Sequence, residues 1–331
     1  MSNPVAVVTG GAGFIGSHMV DLLLEEGFSV RVVDNFSGGH ERNLAHVTSH
    51  SDLAVHNVDI RALEAGHPAF AGAKFVFHFA GIGDIVPSIE QPIDYMDVNV
   101  QGTVRVLECA RAAGVEKLVY AASSSCYGLA DTPTTEAHRI QPQYPYALSK
   151  YLGETSTFHW QRVYGLPANS VRIFNAYGTR VRTTGAYGAV FGVFFRQKLA
   201  DEPFTVVGDG TQTRDFVYVT DVAKAFYLAA LHGTPGQTWN LGAGNPQSVN
   251  RLVELIGGDV VYVPKRPGEP DCTWADISKL TSELGWTQSV PFEQGVARMM
   301  QEIGNWKDAP LWNPESIKEA TRTWFQYLGD K

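Results

Sequence analysis

Only three cysteines, Cys109, Cys126 and Cys272, occur in 331 residues, and they have neither metal-type spacing nor an even-numbered framework. That excludes a disulfide-stapled scaffold and predicts a reducing, cytoplasmic setting. No apolar run approaches the ~20 residues that cross a bilayer, and the N-terminus passes at once into a strand-like run without an export signal. A membrane partner is therefore not expected. Basic stripes are missing too: 26 Lys and Arg stand against 34 Asp and Glu, a net charge of -8, which argues against nucleic acid. An anionic ligand must then be held by a few placed arginines and backbone amides. The 10 histidines are scattered, so no metal site is expected, and His78, inside an apolar strand pattern, reads as a packed core residue. Hydrophobic content of 44% and charge of 18% are ordinary for a globular enzyme, and the length allows one large domain or two.

What is present begins at the N-terminus. The apolar run Val5 to Val8 leads into Thr9-Gly10-Gly11-Ala12-Gly13-Phe14-Ile15-Gly16, then a helical pattern with Met19, Leu22, Leu23 and Leu24 that closes at Gly27. A second apolar run, Val30 to Val33, ends in Asp34, 18 residues beyond Gly16. Strand, glycine turn, helix, strand and acid stand in the order a dinucleotide site requires. The glycines permit a tight turn and close approach of backbone to pyrophosphate, and the helix N-terminus favours its negative charge. Asp34 can accept from the ribose hydroxyls and would repel a 2′-phosphate, so NAD is expected over NADP.

Farther on, Tyr146-Ala-Leu-Ser-Lys150 puts a tyrosine and a lysine on one helix face. The ammonium is expected to lower a phenol pKa that is ~10 when unperturbed. Such a tyrosine can exchange a hydroxyl proton near neutral pH. Taken alone the spacing is common; next to a dinucleotide site it gains meaning.

Strand-like runs at 53–58, 75–79, 117–121 and 168–174 alternate with helical patterns at 98–113 and 146–164. The alternation predicts an α/β Rossmann-type, doubly wound parallel sheet over residues 1–176, with ligands at the carboxyl ends of its strands. From about residue 177 to 331, Gly/Thr/Pro-rich loops predict a smaller, interleaved substrate-binding lobe, with 210–232 returning to the first domain. The C-terminal aromatics Trp306, Trp312, Trp324, Phe325 and Tyr327 read as packing residues or part of a subunit contact.

Together these features resemble the extended short-chain dehydrogenase/reductase family, in its nucleotide-sugar epimerase and dehydratase branch. The resemblance spans nearly the whole chain. It rests on Gly10-x-x-Gly13-x-x-Gly16, Asp34, Asp59-Ile60, Phe79-Ala80-Gly81, Asn99, Ser123, Tyr146 with Lys150, and Arg172-x-Phe174-Asn175-x-Tyr177-Gly178. It continues through Gly208 to Phe216, Arg266-Pro267-Gly268-Glu269 and Ala275-Asp276. The resemblance implies an NAD site formed by Gly10, Gly13, Phe14, Ile15, Gly16, Asp34, Asp59, Ile60, Phe79, Ala80, Gly81, Asn99, Tyr146 and Lys150. It implies Tyr146 as acid/base at the sugar 4-hydroxyl, Ser123 steadying that proton, and Lys150 on the nicotinamide ribose. Ser123, Ser124, Asn175, Arg214, Arg266, Glu269 and Thr273 would face a nucleotide-sugar substrate, the arginines at its diphosphate. Glu269, where aspartate is common in the family, would accept from the nucleotide ribose. A homodimer through the helices near 98–113 and 146–164 is expected.

The branches of this family share oxidation at C4 and differ in the fate of the 4-keto sugar. The 4,6-dehydratases resemble one another in carrying Asp-Glu after the catalytic Ser/Thr; this chain has Ser124-Ser125. A serine without a partner base cannot replace a carboxylate. The expectation is therefore a UDP-sugar 4-epimerase, acting on UDP-glucose/UDP-galactose. A small Thr273 also leaves room for the acetamido group of UDP-GlcNAc/UDP-GalNAc. Alternatives are a UDP-glucuronate 4-epimerase, with Arg182 in the 179–188 loop as carboxylate partner, a 4,6-dehydratase, a 4-ketoreductase, and least of all a non-catalytic NAD sensor.

Overall fold

A computed structural model of the chain describes residues 3–183 and 190–329. β1 (Val5–Thr9), the glycine turn and α1 (Phe14–Glu25) come first, followed by β2 (Ser29–Asp34), β3 (Leu53–Asn57) and β4 (Ala73–His78). The strands are Val-rich because both faces are covered: Val7, Val8, Val30, Val32 and Val76 are fully buried. α1 lays Met19, Val20 and Leu23 on the sheet, each fully buried and worth about 1.5–3 kcal/mol of transfer free energy. α2 (Ile85–Glu90) and α3 (Pro92–Met96) lead into α4 (Thr103–Ala113), then β5 (Lys117–Ser123), α5 (Pro145–Tyr164) and β6 (Ala168–Ile173). α5 starts with Pro145 in its first turn and stops at Gly165, whose φ of 70° is left-handed.

The helix expected over 98–113 is interrupted: Asp97–Gly102 forms a π-helical turn. There the side chain of Ile60 occupies the space beside Gly102, where a Cβ would lie 2.5 Å from Ile60 Cδ1. The wider turn also buries Asn99.

Past β6 the chain forms β7 (Asn175–Tyr177), α6 (Val190–Leu199), β8 (Phe204–Val207), β9 (Thr213–Arg214), β10 (Phe216–Tyr218) and α7 (Val219–Leu231). β11 (Thr238–Leu241), β12 (Gln247–Ser248), α8 (Val249–Ile256), β13 (Val260–Val263), α9 (Ser278–Leu284), α10 (Phe292–Gln301), α11 (Pro314–Ala320) and α12 (Arg322–Leu328) complete it. The main sheet is entirely parallel, in the order β11-β6-β5-β4-β1-β2-β3, which confirms the doubly wound architecture. Strand order reverses between β1 and β4, which places the ligand crevice at their carboxyl ends. β11 was not foreseen, and Val222, Phe226, Trp239 and Trp286 share the core with α1. The chain's return to the first domain thus reaches beyond 232. The smaller lobe is aromatic: Tyr177, Phe191, Phe194, Phe216, Phe292 and Trp306 are buried in one cluster, with β7–β10, β8–β13 and β9–β12 as its short strand pairs.

Candidate active site

The crevice begins with two glycines that tolerate no side chain. Gly10 has φ 70°, and a Cβ there would lie 2.6 Å from the Ala80 amide; at Gly16 it would lie 2.1 Å from the Gly10 carbonyl oxygen. That packing draws the α1 N-terminus onto the β1–β4 switch point and leaves the amides of its first turn, including Phe14 and Ile15, as open donors. The side chains of Phe14 and Ile15 pack against the aromatic core of the smaller lobe. Asp34 is buried, accepting from the Ala12 amide at 2.9 Å and the Phe36 amide at 2.8 Å, so it braces the turn from the end of β2. Asp59 accepts from Arg61 through both carboxylate oxygens and from Asn35, and the Arg61 bond holds its carboxyl down at about 2. Ile60 is buried in the core beneath. These groups fit an adenosine and a pyrophosphate: a close-approach turn, open amides and a fixed acid.

On the other side of the switch point, Phe79 packs at a tilt against Phe226 with ring centroids 4.6 Å apart, and Ala80 donates to Thr9 Oγ1 at 3.3 Å. Asn99 spends its amide on structure. It bonds the Ile82 amide and carbonyl at 2.9 and 3.0 Å and the Ser149 hydroxyl at 2.9 Å, tying the Gly81–Gly83 loop to α5. His78 bonds Thr9 at 2.6 Å and Thr103 at 2.9 Å; burial pushes its imidazole down to about 3, as fits a core histidine.

Ser123, Tyr146 and Lys150 meet above β5. Ser123 ends the strand and accepts from the Ser125 amide at 3.2 Å, and its hydroxyl acts on the Tyr146 phenol to favour the phenolate. Lys150 is 8% exposed, and a Cβ on Gly81 would lie 3.8 Å from its ammonium. Burial lowers Lys150 to about 8, opposed by the Glu154 charge. Tyr146 departs from expectation. Burial raises its phenol above the ordinary value, the Ser123 hydrogen bond opposes this, and the charge of Asp84 adds to it. Desolvation of the phenolate outweighs the lysine four residues along the helix.

The sequence reading overlooked three groups here. Asp84, exposed in the loop after β4, has φ 76° at the start of α2, a strained backbone for a residue with a side chain. Its charge acts on Tyr146 and Tyr95, and Arg182 acts on Asp84 in turn. Tyr95 donates to the Gly83 carbonyl and sets its ring edge-on to Tyr146, 6.3 Å between centroids. Tyr144 lies parallel to Tyr146, at 6.4 Å and 8°. An aspartate in a short loop and tyrosines without a partner motif carry no local signal.

A cavity of 410 Å³ lined by Gly208, Gln212, Arg214, Lys265, Glu269 and Pro270 opens in the smaller lobe. Arg214 pairs with Glu269 at 2.7 Å and Arg266 pairs with the same carboxylate at 2.8 Å. Two cations share one acid, while Asp209 and Asp271 line the cavity beside Lys265, so positive and negative groups face each other across its wall. Asn175 accepts from the Thr273 hydroxyl at 2.7 Å, and Ser124 and Thr273 line a smaller recess nearby. Asp215, fully buried, accepts from the amides of Ala243, Gly244 and Ala275 and so fixes the loop carrying Thr273. Arg182 lies within the described part of the 179–188 loop; residues 184–188 of it lie outside. Among the described residues no cluster of three metal-ligating side chains occurs, and no helix is long and apolar enough to cross a membrane.

The NAD dependent epimerase/dehydratase family matches residues 6–242, and the chain belongs to that family. It is an NAD-dependent enzyme of the nucleotide-sugar 4-epimerase class. It is 36% identical over 308 residues to a putative UDP-glucose 4-epimerase of Methanocaldococcus jannaschii, covering 90% of this chain and 98% of that one. The UDP-N-acetylglucosamine 4-epimerase of Methanobrevibacter ruminantium, solved with UDP-N-acetylmuramic acid, superposes with a TM-score of 0.85 at 30% identity, over 91% of this chain and 100% of that chain. The UDP-glucuronic acid 4-epimerase of Bacillus cereus, solved with UDP-glucuronic acid and NAD, does so at 0.83 and 27% identity, over 91% of this chain and 99% of that chain.

Proposed function

We propose that the protein is a UDP-hexose 4-epimerase, acting on UDP-glucose/UDP-galactose and on their N-acetylated counterparts. The observation that carries this reading is Tyr146 and a buried Lys150 on one turn of α5, beside Ser123 at the end of β5, with hydroxyls rather than carboxylates at Ser124 and Ser125. NAD, when bound, would supply the hydride acceptor and donor at C4 of the sugar. Gly10, Gly13, Gly16 and Asp34 would hold it, with Lys150 at the nicotinamide end. Tyr146 accepts the 4-hydroxyl proton and later gives it back, and Ser123 steadies the phenolic oxygen through both transfers. Arg214 and Arg266 neutralise the diphosphate. The keto sugar turns over between the two transfers, so its stereochemistry at C4 is inverted with no net redox change.

The small Thr273 side chain supports acceptance of 2-acetamido sugars. A uronate is the second reading, because Arg182 is a cation whose charge reaches Asp84 and Tyr95, the latter edge-on to Tyr146; the Asp84 charge opposes it. We place a homodimer contact on α5, where Leu148, Val163 and Tyr164 are exposed. On α4, Leu107 and Ala110 are buried in the chain's own core. The free cysteines suit a reducing cytoplasm.

Incubating the purified holoenzyme with UDP-glucose and no added cofactor tests the reading. Formation of UDP-galactose is expected. A requirement for stoichiometric reduced cofactor, or loss of the 6-hydroxyl, would replace it with a reductase or a dehydratase.

A further inference from the structure

The C-terminal helix α12 touches both sides of the proposed substrate cleft at one residue, Trp324. Its indole Nε1 donates to the Pro267 carbonyl at 2.7 Å, and the Arg266 guanidinium lies 5.3 Å from its ring centre. On its other side the ring meets Tyr144 at 6.4 Å, and Tyr144 is the residue stacked on Tyr146. One residue earlier, Thr323 donates to Glu90 of α2 at 2.9 Å. Trp324 is 5% exposed, so the indole is enclosed by these contacts. The loop that carries Arg266 and Glu269 contains Pro264, Pro267 and Pro270, each without a backbone N–H, which leaves it few main-chain donors with which to hold itself. Arg214 holds its far end at Glu269 and Pro270, and the 264–268 stretch, with few main-chain bonds of its own, opens easily where nothing else ties it. A planar guanidinium held against an indole keeps its donors in one plane.

We propose that α12 is a strap across the cleft and that Trp324 is a positioning residue for Arg266. It fixes the 264–270 loop against the catalytic-tyrosine side, so that the diphosphate finds Arg266 already in place. The role of Arg266 at the diphosphate rests on the function proposed above; the tethering of the loop does not. The strap acts on substrate binding. It does not touch the reacting atoms.

The test has two arms, both on the full-length holoenzyme. In the first, limited trypsin digestion follows cleavage after Lys265, which sits in the tethered loop with its side chain exposed. Trp324→Ala is expected to speed that cleavage about tenfold, a factor equivalent to about 1.4 kcal/mol of lost tethering, with NAD content and melting temperature kept. Unchanged cleavage would overturn the strap whatever the substrate proves to be. So would cleavage that accelerates only together with loss of NAD and of the melting transition, since Trp324 would then be a general packing residue.

In the second arm, Trp324→Ala is expected to raise KM for the UDP-hexose about tenfold while kcat changes less than about threefold. Trp324→Phe keeps the ring over Arg266 and is expected to restore most of the KM. In an Arg266→Ala background, Trp324→Ala is expected to add little. Equal losses in kcat and KM, or full additivity with Arg266→Ala, would overturn the positioning role. A wild-type enzyme silent on every UDP-hexose would count against the proposed substrate, and the proteolysis arm alone would then decide the strap.

Discussion

The Lys150 ammonium lies 4.5 Å from the centre of the Tyr120 ring, and the Tyr120 hydroxyl donates to the Lys150 carbonyl at 3.1 Å. A fully buried tyrosine thus supports the cation from below while α5 holds it from behind. Because burial brings Lys150 down to about 8, its charge is present below that pH and is lost as pH rises through it. The rate is expected to fall on the alkaline side from about pH 8, and Lys150→Arg, which stays charged, should push that limb upward. Lys150→Met should cost ~10²-fold or more in kcat below about pH 8, with the gap to wild type narrowing above it. A pH profile identical in wild type and Lys150→Arg would sink the assignment.

Tyr146→Phe removes the proton carrier without removing the ring packed against Tyr95 and Tyr144. We expect kcat to fall by ~10³-fold with NAD content and melting temperature unchanged, the size typical for a lost acid/base. Residual activity within tenfold of wild type would assign the proton to another group.

Asp84→Asn removes a negative charge that acts on both Tyr146 and the neighbourhood of Arg182. A uronate carboxylate should then be better tolerated. The ratio of kcat/KM for UDP-glucuronate to that for UDP-glucose is expected to rise about tenfold, equivalent to about 1.4 kcal/mol. A constant ratio would mean that Asp84 takes no part in discrimination.

Behind the site, Arg172 donates from Nε and Nη2 to Glu154 at 2.9–3.1 Å, with side chains only 9% and 2% exposed. Glu154 also accepts from Ser170 at 2.6 Å, so one carboxylate joins β6 to α5. Glu154→Leu leaves a buried guanidinium uncompensated and should cost ~3–5 kcal/mol in denaturant unfolding. A loss below about 1 kcal/mol would show that the pair is relieved by solvent.

Acid should destabilise the fold through His78. Its folded pKa of about 3 lies below the ordinary 6.5, so the neutral ring contributes stability that is complete above about 6.5. That contribution is lost progressively as pH falls from 6.5 toward 3; His18, lowered to about 4 by burial, adds to it. Melting temperature should decline through this window, and more shallowly in His78→Gln. Parallel slopes for the two proteins would place the acid sensitivity elsewhere.

Much of the cofactor half is legible because its signals are local. A glycine turn, a strand ending in Asp34 and a Tyr-x-x-x-Lys helix face each declare themselves within a few residues. The surroundings of Tyr146 are only half legible because burial is a tertiary quantity: Lys150 is visible four residues away, whereas the walls that desolvate the phenol come from other elements. β11 escaped notice since four residues, Thr238 to Leu241, carry no period long enough to separate strand from loop. Asp84 and Trp324 act across the cleft, and nothing beside them in the chain names their partners.

β11 forms the outer edge of the main sheet by pairing Thr238–Leu241 with Ser170–Ile173. During synthesis the ribosome therefore releases β6 well before its neighbour exists, with an unpaired strand edge open to strangers. A fragment ending at residue 176 would keep the glycine turn yet leave the β6 edge of the sheet without its β11 partner.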